Sequence, residues 1–343
     1  MSDISGKQNF RMPAEWEPHN SVWLAWPYDQ ITFGSLNQKN EIVDGERLQK
    51  VEKTYAKIIT ALDGSEKVKL ITRSQNIPPE IKEKVEIFQA DYADVWTRDY
   101  MPSFAKDMDG NILAVKWTYN AYGEKFDDLL KDNDVWQEIN ETLKTKTIDS
   151  GILMESGAID VNGSSTLLTT EQCLLTRNPN LSKSEIENIF RDNLGASKVI
   201  WLKSGLANDH TDGHIDEIAR FVAPDKIVCA YEDDSNEENF KALDDNYKIL
   251  KNSTDQSGKS FEIIKLPMPH MVYDNGEKAP ASYANFYIGN KVVLVSTFND
   301  PNDSKAMKII QSCFHDRKIV GIDCSEIIYG GGAIHCITQQ EPK

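Results

Sequence analysis

The chain lacks the marks of several large protein classes. Its five cysteines (Cys173, Cys229, Cys313, Cys324 and Cys336) contain no C-x-x-C pair, so the spacing encodes neither a zinc ribbon nor a dithiol redox centre. Odd in number and scattered, they suit free thiols in a reducing compartment better than a disulfide framework. No apolar run approaches the roughly 18 residues that span a bilayer. The opening MSDISGKQNFRMP lacks the basic-then-apolar order of a secretory signal, so a cytoplasmic protein is expected, with roughly the first ten residues flexible. Positive charge is also scarce: 38 Lys and Arg stand against 54 Asp and Glu, a net charge of −16. That balance argues against nucleic acid or an anionic membrane as partner and suits a small cationic substrate. Low-complexity tracts and Gly/Ser linkers are missing as well, so residues 1–343 read as a single domain.

What the chain does contain is a repeating order of strand, strand, helix, strand. Period-two apolar runs predict strands at Ser21–Trp26, Val68–Thr72, Val85–Gln89 and Ile112–Trp117. Apolar positions Leu48, Val51, Tyr55, Ile58, Ile59 and Leu62 recur at helical spacing and predict a helix over Glu46–Leu62. Residues 123–146 read as a charged surface stretch. Strands at Ile152–Met154, Ala158–Val161 and Ser165–Thr170 surround Asn162-Gly163, a hairpin signal. Ser182 with Glu185 three residues later predicts a capped helix to Leu194. The strand pairs Ala219–Val222 with Lys226–Ala230 and Ala284–Ile288 with Val292–Thr297 continue the pattern.

Chemically unusual residues recur with the same period. The stretch IYGGGAIHCITQ (328–339) runs three glycines, Gly332 among them, into a His-Cys pair, so backbone can approach a ligand closely where a thiol is presented. Asp99, Glu155 and His214 are spaced by 56 and 59 positions, and His214 to Cys336 by about twice that. A repeat of supersecondary units around an axis would gather such positions at one end, with a further unit near Ser282–Phe286. Cys336 would then be a nucleophile, His214 its base and Glu155 the carboxylate that orients the histidine. Asp99 and Asp216 are surplus to a plain cysteine hydrolase and match a guanidinium, whose forked donors pair with carboxylates. His335 is set aside as base, because neighbours on a strand face opposite ways. A rival reading stays open: His210, Asp212, His214 and Asp216 alternate as on one strand face and could hold a metal for hydrolysis.

The segments PAEWEPHNSVWLAWP, VWTRDYMP, ESGAIDVNGSSTLLTT, TDGHIDEIARFV, ASYANFYI and GGGAIHCITQQEP, in this order, resemble the agmatine deiminase family, also called bacterial peptidylarginine-deiminase-type proteins. The resemblance runs from about Arg11 to the C-terminus. It implies an α/β pentein propeller of five ββαβ-type modules around a pseudo-fivefold axis, working without metal or organic cofactor, and it favours a homo-oligomer. It also implies Cys336 as nucleophile, His214 as general acid/base, Asp99 and Asp216 as guanidinium-binding carboxylates, and Glu155 as the remaining glutamate of the site. Trp26, Trp96 and Asn285 are candidate wall residues for which packing is an equal alternative. Four positions depart from the family pattern: Met101, Ser156, Glu217 and Ala333. They are expected to reshape the space around the substrate's tail, which leaves open another guanidine (free, methylated or peptidyl arginine) or a guanidinium binder without turnover.

Overall fold

The computed structural model describes residues 10–28, 30–36, 42–73 and 76–343. The expectation of a flexible N-terminus therefore lies outside the described residues. Among those residues the strands form five mixed sheets of three or four strands and one two-stranded ribbon, Ser35–Leu36 with Ile42–Asp44.

All five larger sheets are built alike. Ser103–Lys106 lies antiparallel to Ile112–Thr118, which lies parallel to Thr147–Leu153. The same order returns in Asp160–Val161, Thr166–Thr170 and Lys198–Leu202, in Ala219–Ala223, Lys226–Tyr231 and Glu262–Pro267, and in Tyr287–Ile288, Val292–Thr297 and Lys318–Asp323. The fifth sheet takes its antiparallel member from the far end of the chain. Gln339–Pro342 pairs with His19–Ala25, which runs parallel to Lys67–Thr72, and that strand to Val85–Gln89.

Parallel neighbours need a long crossover, and in each sheet a helix supplies it: Glu46–Leu62, Val135–Leu143, Lys183–Leu194, Phe240–Asn252 and Asp303–Cys313. The first buries Val51, Tyr55, Ile58, Ile59 and Leu62 along one stripe. In the third, Ser182 accepts from the Glu185 amide while the Glu185 carboxylate receives the Ser182 amide, the reciprocal cap read from the sequence. The hairpin at Asn162-Gly163 also forms, with Gly163 at φ +68°.

Each sheet's last parallel strand leads into one segment bearing candidate residues. Asp99 follows Val85–Gln89, Glu155 follows Thr147–Leu153, and His214 and Asp216 follow Lys198–Leu202. Asn285 follows Glu262–Pro267, and Cys336 follows Lys318–Asp323.

The structure corrects several expectations. Residues 123–146 are no plain surface stretch: a 3₁₀ turn over Asp127–Asp134 and the helix Val135–Leu143 bury Val135, Trp136 and Ile139. Three apolar residues within one helical turn make a face too narrow to register against so acidic a background. Ala158 lies in a 3₁₀ turn, Ser156–Ala158, and only Tyr287–Ile288 of the expected strand Ala284–Ile288 is extended. Residues 209–216 do not form a strand: Asp212 and Gly213 have φ of +62° and +89°, and Ile215–Glu217 is a 3₁₀ turn. No helix among the described residues is long and apolar enough to cross a membrane.

Trp136 packs edge-on against Phe104 with centroids 5.6 Å apart and is 1% exposed. Trp136→Ala is expected to lose about 3–5 kcal/mol of stability in urea denaturation. Met108→Ala, at a position 79% exposed, should stay within about 0.5 kcal/mol of the parent.

Candidate active site

The segments that follow the five sheets meet beneath a cavity of about 550 Å³, whose lining includes Trp96, Asp99, Tyr122, Gly332 and Cys336. Gly157 marks the meeting point. A Cβ placed there would lie 2.6 Å from His214 Nδ1, 2.8 Å from Asp99 Oδ1 and 3.2 Å from Asp216 Oδ2, so three groups distant in sequence face one spot that only glycine leaves open.

Each side chain is fixed from behind. Asp99 sits in a single helical turn, Thr97–Tyr100, and accepts from the Tyr122 hydroxyl at 2.8 Å and the Gly157 amide at 3.3 Å. It does not pair with its neighbour Arg98, which reaches instead to Gln340 at 2.6 Å and lies 3.7 Å from Glu15. His214 Nε2 lies 3.2 Å from Glu155 Oε2, while Nδ1 looks across 3.6 Å at Asp99 Oδ1. Arg177 donates to the other Glu155 oxygen at 3.0 Å. Asp216 Oδ2 lies 2.6 Å from His335 Nδ1, and His335 Nε2 lies 2.9 Å from Glu15, which Arg220 clasps at 2.7 Å. Cys336 Sγ lies 3.7 Å from both Asp216 Oδ2 and Glu217 Oε1, and accepts from Asn285 Nδ2 at 3.1 Å.

Burial and like charge set the protonation. Burial, followed by Asp216, Glu217 and Asp99, pushes the Cys336 thiol well above its ordinary value. Glu217 is pushed well up by burial and then by Asp216. Asp99 is raised to about 7, by burial first, with His214 opposing and Asp216 adding. Burial, the largest influence, would raise Asp216, but the His335 hydrogen bond and the charges of His335, His214 and Arg220 together outweigh it and hold the carboxyl low. Burial likewise works against Glu155, yet His214 and Arg177 keep it ionised. His214 resists burial through Asp99 and its hydrogen bonds, and its pKa is well above the usual imidazole range.

The chain matches the Porphyromonas-type peptidyl-arginine deiminase family over residues 11–342. The chain belongs to that family. A relative from Legionella pneumophila, provisionally named an agmatine deiminase, is 35% identical over 100% of this chain and 98% of its own. The solved agmatine deiminase of Enterococcus faecalis is 33% identical, covers 100% of both chains and superposes with a TM-score of 0.87. DDAH from Pseudomonas aeruginosa, at 13% identity and a TM-score of 0.53 over 94% of this chain, speaks to the fold alone.

Of the candidates read from this family member's sequence, Cys336, His214, Glu155, Asp99 and Asp216 come together, with Trp96, Asn285 and Gly332 beside them. Trp26 does not: its ring packs on Tyr55 and it is absent from the cavity wall. The metal reading of His210, Asp212, His214 and Asp216 loses its basis. With the backbone turned at Asp212 and Gly213, the Asp212 carboxylate is spent on Arg177 at 2.6 Å and Lys125 at 2.7 Å, and His210 packs against Phe126 at the cavity wall. His335 lies in a turn rather than on a strand, so the alternation argument does not apply to it, and both its ring nitrogens are engaged, Nδ1 with Asp216 and Nε2 with Glu15. Met101 and Ser156 are buried and do not line the cavity; the Ser156 hydroxyl donates to the Met101 carbonyl at 3.3 Å. Glu217 Oε1 lies 3.7 Å from the thiol sulfur.

Sequence reasoning missed Tyr122, Glu15, Arg177 and the buried role of His335. Tyr122 left a trace only in the backbone, where Ala121, Tyr122 and Glu124 all have positive φ, strain of the kind that concentrates at functional sites.

A thiol held protonated by burial and anions should alkylate slowly at neutral pH. With iodoacetamide, modification of Cys336 followed by peptide mass spectrometry is expected to climb with pH and still be rising at pH 9. Asp216→Asn removes the largest anionic contribution and should move that profile to lower pH.

Proposed function

We propose that this protein is an agmatine deiminase, hydrolysing agmatine to N-carbamoylputrescine and ammonia through a covalent amidino-cysteine. The observation that carries this reading is the single spot beside Gly157 on which His214 Nδ1, Asp99 Oδ1 and Asp216 Oδ2 converge, with the thiol 3.7 Å from Asp216. A guanidinium is the planar cation whose donors such carboxylates grip in pairs. Its arrival also reverses the electrostatics that keep the thiol protonated, so the nucleophile forms where its target sits.

In this reaction the Cys336 thiolate adds to the guanidinium carbon. The C–N bond of the adduct breaks as imidazolium His214 donates its proton, releasing ammonia. Neutral His214 then takes a proton from water, whose oxygen attacks the amidino carbon, and the C–S bond breaks to give the ureido product and free thiol. Glu155 keeps His214 oriented, and Asp99 and Asp216 hold the cation throughout.

Acidic side chains in the cavity lining favour a substrate with a second cation over one with a carboxylate. Asp94, Asp127 and Asp128 line the cavity, and Lys125 on the same wall is neutralised by Asp212. Agmatine carries that second cation; free arginine adds a carboxylate these acids would repel. We also read the five alike sheets as pentein modules about a pseudo-fivefold axis within one domain. Support comes from the pairing of the final strand with the first and from one site segment after each sheet. Free cysteines suit a cytoplasmic setting.

A panel of guanidines assayed for ammonia and ureido product tests the reading. Agmatine is expected to turn over faster than arginine, methylated arginine or an arginine peptide, with Cys336→Ala at background and His214→Ala down about 10²- to 10⁴-fold. Equal or faster turnover of an arginine would transfer the assignment to that substrate. Asp99 must lose its proton to grip the cation, so kcat/KM for agmatine should rise through about pH 7. It should fall again at alkaline pH as His214 loses its proton.

A further inference from the structure

We propose that Cys336, Asp216 and Glu217 form a binding site for a thiophilic divalent cation of the zinc type, which takes the seat of the substrate's cation and inhibits the enzyme. The metal site rests on geometry alone; only its inhibitory effect rests on the deiminase reading.

One ligand atom from each of the three residues lies within 4.8 Å of the others, and all three residues are buried. The sulfur stands 3.7 Å from an oxygen of each carboxylate. In a tetrahedral zinc site with Zn–S of about 2.3 Å and Zn–O of about 2.1 Å, the sulfur-to-oxygen edge is about 3.6 Å. The ligands are thus spaced as around an ion. Two further buried oxygens, Asp216 Oδ1 and Glu217 Oε2, have no hydrogen-bond partner, an arrangement that leaves polar atoms waiting for a cation. The ligating oxygens are oriented from outside, Asp216 Oδ2 by His335 and Glu217 Oε1 by Asn285 Nδ2 at 2.8 Å, as metal-binding carboxylates are.

A neighbouring set, Glu155, Cys173 and His214, also has ligand atoms in range. Its charge is already met by Arg177, which donates to Glu155 at 3.0 Å, so a dication gains less there. A thiolate with two carboxylates selects Zn²⁺ or Cd²⁺ over Mg²⁺ and Ca²⁺, which prefer all-oxygen shells of higher coordination. Entry is through the cavity that Cys336 lines, and a water on that side completes four-coordination. Binding forms the metal–sulfur bond and releases the thiol proton to solvent, so affinity should grow with pH.

The test titrates the purified full-length protein with Co²⁺ as a coloured substitute, then with Zn²⁺. Expected are a thiolate-to-cobalt charge-transfer band saturating at one ion per chain, its displacement by Zn²⁺ but not Mg²⁺, and its loss in Cys336→Ser. Glu217→Gln should weaken binding by about tenfold or more. Zn²⁺ should inhibit ammonia release competitively with agmatine, reversibly on adding a chelator. Absence of the band at millimolar Co²⁺, or an equal band in Cys336→Ser, would overturn the site. A band without turnover of any guanidine would retain the site and remove the deiminase reading; turnover without a band would do the reverse.

Discussion

Negative charge packed where water is nearly excluded is the constraint on which the structure turns. Asp216 and Glu217 stand close to the Cys336 sulfur, Asp99 lines the same cavity, and all four residues are buried. Fully ionised and unpaired, such a group would cost several kcal/mol per charge. The site limits that cost by retaining protons: on Cys336, on Glu217 and in part on Asp99. A cation of the right shape replaces those protons, which is how one arrangement can both bind a guanidinium and generate a nucleophile beneath it.

Two members of the site must nevertheless stay ionised, and the fold supplies counter-charges for those two. Arg177 stands behind Glu155, and the chain His335, Glu15, Arg220 stands behind Asp216. Neither arginine lines the cavity, so they stabilise the anions without filling the seat intended for substrate. Arg98 and Arg220 are both nine-tenths or more buried, and their partners come from distant parts of the chain. Loss of one partner would leave a charge stranded, which is why this rear network and the architecture are hard to alter separately.

Much of the fold was legible locally. Helix Glu46–Leu62 and the Ser182 cap follow from spacing and hydrogen-bonding chemistry confined to a few turns. Strand Val85–Gln89 matches its apolar pattern to the residue. Trp136 was not legible, because its partner Phe104 lies 32 positions away and its own surroundings are acidic. Trp26 stayed ambiguous for the converse reason: a tryptophan before a Pro-rich loop looks the same whether it faces a ligand or Tyr55.

The sequence by itself determined which side chains were available, where the repeating units lay, and that a thiol, a histidine and surplus acids recurred at their junctions. Only the tertiary structure decided that Glu217 rather than a metal-binding His210 stands by the sulfur, and that His335 serves Asp216. Local elements are set by contacts three or four residues apart, whereas Cys336 meets Asp216 across 120 positions and His335 meets Glu15 across 320. Nothing near either residue encodes such a meeting; it exists only once the sheets have paired and the last strand has closed onto the first.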